Sequence, residues 1–249
     1  MNPSRPLVIL IPARLAATRL PDKPLKEIGG KTMIQHVWER ASKVRGANLV
    51  AVVTPDPIIA DTVERFGGLS VLTSSAHRSG TDRIAEAANL LHIAPHAILV
   101  NVQGDEPLID PANVEAAVAP LIEDESLTMS SLMCLCPPEE RANPACVKVV
   151  CALNGNALYF SRSSLPCDRT VGRAENVPAY QHIGLYAYRR DFLATFASLS
   201  PSPLEQTESL EQLRVLENGY RIRMVLVENA PIGVDTPEDL ERVRRLLAE

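Results

Sequence analysis

Three cations stand close together early in the chain: Arg14, Arg19 and Lys23 in IPARLAATRLPDKP, each four or five residues from the next. A curled loop with that spacing can converge them on one polyanion, and Pro21 and Pro24 stiffen it. The loop is not a P-loop, since GxxxxGK[ST] is absent, and not a Rossmann fingerprint, since it holds no glycine. A solvated basic loop is the plainer alternative. Acidic partners come later. In VNVQGDEPLIDP (100 to 111), Gln103, Asp105 and Glu106 follow an apolar run, and Gly104 permits a tight backbone from which Asp105 can project as a hard oxygen ligand. GDEP is equally good turn chemistry. In GVDTPEDLERV, Asp235 lies at a corner where a helix N-cap is the simpler reading, while Glu238 and Asp239 suit the positive end of the helix. HRSGTDRIAEAA (77 to 88) gathers hydroxyls, a glycine and amide donors ahead of a helix, an arrangement suited to nucleotide phosphates. Capping by Ser79 or Thr81 explains part of it as well. His182, alone on an apolar stretch, reads as a satisfied core histidine.

These residues need a scaffold, and the hydrophobic pattern supplies one. Leu7 to Ile11 is continuously apolar, as in a central strand buried on both faces, and similar runs follow at 49 to 53, 70 to 72 and 97 to 102. Helical patterns at 33 to 45, 56 to 66 and 82 to 92 separate them, an alternation that predicts a parallel sheet covered by helices. A helix is expected from Pro111 to Glu123 and a strand over 128 to 135. VKVVCAL-NGN-ALYFSR (147 to 162) then breaks the alternation with a hairpin signal, because Asn-Gly tolerates a tight turn. Residues 169 to 179, rich in charge with Gly and Pro, are expected to form an excursion that moves on substrate binding. Further expectations are a strand at 180 to 188, a helix at 208 to 218 ending before Gly219, a strand at 222 to 227 and a helix at 236 to 247.

Composition narrows the function. The 249 residues fit one α/β domain, and a net charge of −5 argues against general nucleic-acid affinity, which needs a broad basic face. No apolar run is long enough for a membrane span and MNPSRP has no export-signal character, so a cytoplasmic protein is expected. Cys134, Cys136, Cys146, Cys151 and Cys167 lack CxxC spacing and read as reduced thiols rather than zinc ligands.

IPARLAATRLPDKPL, HRSGTDRIAE, VNVQGDEP, NPACVKVV, ALYFSRSSLP, QHIGLYAYRR, PSPLEQTESLEQLRVLENG and GVDTPEDLERV occur in this order. Together they resemble the 3-deoxy-manno-octulosonate cytidylyltransferases, or CMP-Kdo synthetases, from Val8 to Leu246. The resemblance implies a Rossmann-like nucleotide-diphospho-sugar transferase fold: one domain, residues 1–249, with a mostly parallel sheet flanked by helices. A β-rich dimerisation and sugar-binding subregion would lie at about 137–190. It implies transfer of CMP from CTP to Kdo with release of diphosphate, for lipopolysaccharide biosynthesis, by a Mg²⁺-dependent homodimer.

Carried over by position, Arg14, Arg19, Lys23, Ser79, Thr81 and Gln103 would bind CTP, and Asp105 and Asp235 would hold the metal. Gln103, Arg162, His182, Tyr186, Glu211 and Gln212 would bind Kdo. Asp105, Asp235, Arg14 and Lys23 are the expected catalytic set. Pro55 and Pro57 depart from the VATDD-like sequence of relatives, and Cys167 and Glu217-Asn218 replace aromatics found in some. Activation of 8-amino Kdo or of a sialic acid stays open as an alternative substrate. A non-catalytic sugar-nucleotide binder is the alternative of another class, weakened by the intact acids and cations.

Overall fold

The structure is a computed structural model and describes residues 5–16, 19–77, 79–167 and 177–248. Its centre is β1 (Leu7–Pro12), whose first five residues are buried because parallel strands flank both of its edges. Two short strands, β2 (Glu27–Ile28) and β3 (Lys31–Thr32), form a separate hairpin leading into α1 (Met33–Ala41). β4 (Ala47–Thr54), α2 (Pro57–Arg65), β5 (Leu69–Leu72), α3 (Gly80–Leu90) and β6 (Ile98–Asn101) complete the expected alternation. Pro57, one of the departures from relatives, falls at the start of α2, where a missing N–H costs nothing.

After α4 (Pro111–Glu123) and β7 (Met129–Leu135), the predicted hairpin is present as β8 (Lys148–Cys151) and β9 (Ala157–Ser161), with Gly155 in the left-handed region at φ 81. β10 (Tyr180–Arg189) inserts antiparallel between β6 and β7. α5 (Arg190–Ser198), α6 (Pro203–Glu208), α7 (Leu213–Glu217), β11 (Arg223–Leu226) and α8 (Pro237–Ala248) follow. The main sheet runs β11-β7-β10-β6-β1-β4-β5, parallel except at β10. The β8–β9 hairpin joins it through Tyr180 and Gln181, so the subregion at 137–190 is continuous with the sheet.

Alternating side chains of β1 divide the core. Leu7, Ile9 and Ile11 pack with α1, α2 and α4, whereas Val8 and Leu10 pack with α3, α5 and α7. A smaller cluster of Leu20, Ile28, Met33, Val234, Leu240 and Val243 fastens α8 beside the cation loop. Among the described residues no helix is long and apolar enough to cross a membrane.

One expectation requires revision, and one helix was not anticipated. The helix expected over 208 to 218 is confined to α7, because α6 ends at Glu208 where Ser209 adopts a left-handed conformation at φ 52. The preceding Glu208 carboxylate accepts hydrogen bonds from Ser161 Oγ (2.6 Å) and the Arg162 N–H (2.9 Å), fixing the chain at the break. α5 lay unseen in the sequence because its apolar residues continue directly from β10. Of the expected excursion 169–179, residues 169–176 lie outside the described residues.

Candidate active site

The carboxyl ends of β1 and β6 open on a cleft of about 420 Å³ whose lining includes Arg14, Arg19, Lys23, Ser79, Gln103, Asp105 and Asp235. Hydrogen bonds fix each part. Leu15 N–H donates to Asp56 Oδ2 (2.8 Å), anchoring the start of the cation loop to the segment after β4. Lys23 begins a short 3-10 turn whose Pro24 is buried. Gly104 lies against β1 so closely that a Cβ there would meet the Pro12 carbonyl oxygen at 2.7 Å. Glycine is needed at that position for close approach rather than for a positive φ. Val234 N–H donates to Asp105 O (2.9 Å), which brings the segment carrying Asp235 alongside Asp105.

Asp235 is not the cap of α8. Thr236 and Asp239 form a reciprocal box: Asp239 N–H donates to Thr236 Oγ1 (3.2 Å), and Asp239 Oδ2 accepts from the Thr236 N–H (2.9 Å) and the Asp235 N–H (3.0 Å). Capping thus falls to the next residue, and the Asp235 carboxylate faces the cleft. Lys23 Nζ donates to Asp105 Oδ2 (2.7 Å) and Asp235 Oδ1 (3.1 Å), and Arg19 Nη2 is 3.1 Å from Asp235 Oδ2. Burial opposes the Lys23 charge, but Asp105 and Asp235 overcome it and hold its pKa above the ordinary value.

Ser79 caps α3, accepting from the Asp82 N–H (3.1 Å), and Gly80 starts the helix against Pro12. Arg83, given no role from the sequence, lies on the cleft wall with Nη1 donating to Thr73 Oγ1 (2.6 Å). Burial, followed by repulsion from Arg14, depresses its pKa. Its signal was an arginine in the first turn of a helix otherwise faced with small and apolar residues.

An adjoining polar layer holds most of the remaining site residues. Thr81 Oγ1 donates to Glu211 Oε2 (3.0 Å), and Gln103 Nε2 donates to the Gly184 carbonyl of β10 (2.9 Å). His182 is buried with Nε2 2.9 Å from Ser131 Oγ, whose own proton is aimed at Leu185 O (2.8 Å). Burial takes the imidazole down to about 3, so the ring is neutral. It also raises Tyr186 far above the usual phenol range, with the charge of Glu211 adding to the effect, and raises Glu211 itself. Asn101 Oδ1, Glu211 Oε1 and Gln212 Nε2 are buried without partners. Buried polar atoms are nearly always paired in folded proteins, so three unpaired ones in one layer leave hydrogen-bonding capacity there unused.

Arg162 stands apart. Its guanidinium donates to the carbonyls of Glu208 (2.8 Å), Pro144 (2.9 Å) and Ser209 (3.4 Å), clamping the hairpin to the turn after α6. Lys148, completely buried, likewise donates to three carbonyls: Asn143, Cys146 and Arg162. Glu106, read from the sequence beside Asp105 with a plain turn as the alternative, is buried with Oε2 unpaired; burial, with Asp105 adding to it, pushes its pKa up to about 8.

Among the described residues no group of three or more His, Cys, Asp or Glu gathers as a metal cage. Two carboxylates from different segments do face one point, the position of Lys23 Nζ. Mg²⁺ commonly needs no more from a protein when a nucleotide supplies phosphate oxygens, so the donor set fits that ion.

The chain matches the profile of the family described as cytidylyltransferase over residues 8–222. It is 52% identical over 249 residues to the 3-deoxy-manno-octulosonate cytidylyltransferase of Pseudomonas fluorescens (strain SBW25), covering 96% of this chain and 97% of that one. It is 51% identical to the enzyme of the same name from Methylobacterium sp. (strain 4-46), with 97% and 96% covered. A solved CMP:2-keto-3-deoxy-manno-octonic acid synthetase complexed with CTP superposes with a TM-score of 0.92 at 45% identity, over 98% of each chain. A 4-diphosphocytidyl-2C-methyl-D-erythritol synthase shares the fold at a TM-score of 0.66 and 16% identity, over 98% of each chain.

Proposed function

This chain belongs to the cytidylyltransferase family, and on that premise we propose that it transfers CMP from CTP to the anomeric hydroxyl of Kdo, releasing diphosphate. The observation that carries the reading is the meeting of Asp105 and Asp235 with Lys23, Arg19 and Arg14 in one cleft. Lys23 and Asp235, 212 residues apart in the chain, bring opposite charges to one cleft of about 420 Å³.

Both substrates are anions, so their mutual repulsion must be offset before the hydroxyl can approach the α-phosphorus. Arg14, Arg19 and Lys23 are placed to hold the β- and γ-phosphates and to stabilise the diphosphate as it leaves. Arg83 adds a cation that Thr73 keeps oriented. Ser79 and the start of α3 offer hydrogen-bond donors to the nucleotide. Asp105 and Asp235 would hold Mg²⁺, which when bound neutralises phosphate charge and makes the sugar hydroxyl more acidic. Gln103, tied to β10, spans from the cleft to the polar layer of His182, Tyr186 and Glu211. That layer would take the sugar hydroxyls, with His182 neutral throughout the physiological range. Arg162 and Gln212 would complete it, Arg162 by exchanging backbone carbonyls for the sugar carboxylate. A homodimer belongs to the proposal, supported by the exposed Leu135, Leu158 and Leu226; a monomer in sedimentation equilibrium removes that part.

Diphosphate release from CTP and Mg²⁺ with Kdo, 8-amino Kdo or N-acetylneuraminate tests the substrate. Kdo should be turned over fastest, and a preference for either rival replaces the reading. Asp105→Asn should lose more than the roughly 10²- to 10³-fold expected for removing one leaving-group cation; parental turnover would refute the metal pair.

A further inference from the structure

Lys23 occupies the point on which both candidate metal ligands converge. Its ammonium is 2.7 Å from Asp105 and 3.1 Å from Asp235, and its side chain is only 15% exposed. Arg19 pairs with the remaining oxygen of Asp235. The two carboxylates are therefore already matched by two cations of one loop, and Arg14 and Arg83 add two more to the wall. A lining of four cations and two carboxylates repels a free dication and attracts a polyanion.

On the reading of Asp105 and Asp235 as the metal pair, we propose that Lys23 is a place-holder cation: it keeps divalent metal out of the cleft until nucleotide phosphates draw its ammonium away. The exchange replaces one ion pair with another, because the phosphates receive the charge that the carboxylates give up. Only the flexible side chain has to turn, since buried Pro24 holds the backbone beside it. Metal and nucleotide consequently enter together, and Lys23 serves first the acids and then the leaving group.

Mn²⁺ titrated into the nucleotide-free protein, with free ion counted by electron paramagnetic resonance, tests this independently of turnover. Lys23→Met and Lys23→Gln should each bind Mn²⁺ about tenfold or more tightly than the parent, the scale of one half-buried charge pair. Lys23→Arg keeps the charge and should bind within a factor of about three of the parent. The gain should vanish in Lys23→Met/Asp105→Asn, and circular dichroism checks that each variant is folded. Parental Mn²⁺ affinity in both neutral variants, or a gain that survives loss of Asp105, overturns the proposal. The two readings fail separately: unchanged turnover in Asp105→Asn removes the metal pair itself, whereas unchanged Mn²⁺ binding in the neutral variants beside an inactive Asp105→Asn removes only the place-holder.

Discussion

Gly104→Ala places a single methyl group against a rigid neighbour. The added Cβ would lie 2.7 Å from the Pro12 carbonyl oxygen, about 0.7 Å short of an ordinary 3.4 Å contact, with Ala13 Cβ and Ile34 Cδ1 already at 3.5 Å. Pro12 cannot yield, because β1 is fixed between two parallel neighbours. The Gln103–Asp105 segment must retreat instead, taking the Asp105 carboxylate away from Lys23 and the Asp235 side of the cleft. A 1 Å misplacement of a reacting group can cost about 10²-fold, so a displacement of this size should lower kcat by about 10- to 100-fold. Overpacking adds about 1–3 kcal/mol of destabilisation, or about 2–12 °C in Tm for a domain of this length. A coupled diphosphate assay at saturating CTP and Kdo gives kcat, and a thermal melt gives Tm. A folded Gly104→Ala protein with kcat within a factor of two of the parent would show that the loop absorbs the methyl group without moving Asp105, and the positioning argument would fail.

Arg189→Met removes the guanidinium that donates to Leu127 O, Leu121 O and Asp124 O at the end of α4; urea denaturation should show a loss of about 3 kcal/mol, and one below about 1 kcal/mol would mean that those carbonyls find other partners. Glu106 keeps its proton in the fold up to about pH 8 but would lose it near 4.5 when unfolded, so its contribution is full below 4.5 and declines by about 1.4 kcal/mol per pH unit until 8. Glu106→Gln should flatten that decline in urea midpoints taken from pH 5 to 8, and an unchanged slope would contradict it. His182 acts in the opposite sense: its neutral form stabilises fully above 6.5 and the contribution is lost as pH falls towards 3, a loss that His182→Phe should remove. Thr236→Ala deletes one half of the α8 capping box and should cost about 1 kcal/mol in the same denaturation assay.

The hydrophobic runs made β1, β4, β6 and their covering helices legible, because strands buried on both faces leave continuous apolar sequence. Sheet order was not legible: nothing local in Tyr180–Arg189 says that it enters antiparallel between β6 and β7. The Asn-Gly turn was readable because its backbone requirement is local. The break at Ser209 was not, since it depends on Ser161 and Arg162, which reach Glu208 from another part of the chain. Asp235 shows the same division. Its corner could be placed, yet only the Thr236–Asp239 hydrogen bonds decide which residue caps the helix and which faces the cleft. Arg14, Arg19, Lys23 and Asp105 could be singled out as candidates by residue type and spacing, with a solvated loop and a turn as alternatives, and the fold brings all four to one cleft. Arg83 and Lys148 escaped because their partners are backbone carbonyls or a distant hydroxyl, and the burial of Glu106 with an unpaired oxygen escaped as well, since spacing carries no trace of these.

The hydrogen bond from Val234 to Asp105 and the small apolar cluster around Leu20 and Val243 also set the timing of assembly. Asp105 can meet Asp235 only after residue 235 has left the ribosome and the segment carrying Val234 has docked. With Asp105 and Asp235 as the proposed metal pair, catalytic competence comes late in synthesis, and a nascent chain lacking Asp235 should not spend nucleotide.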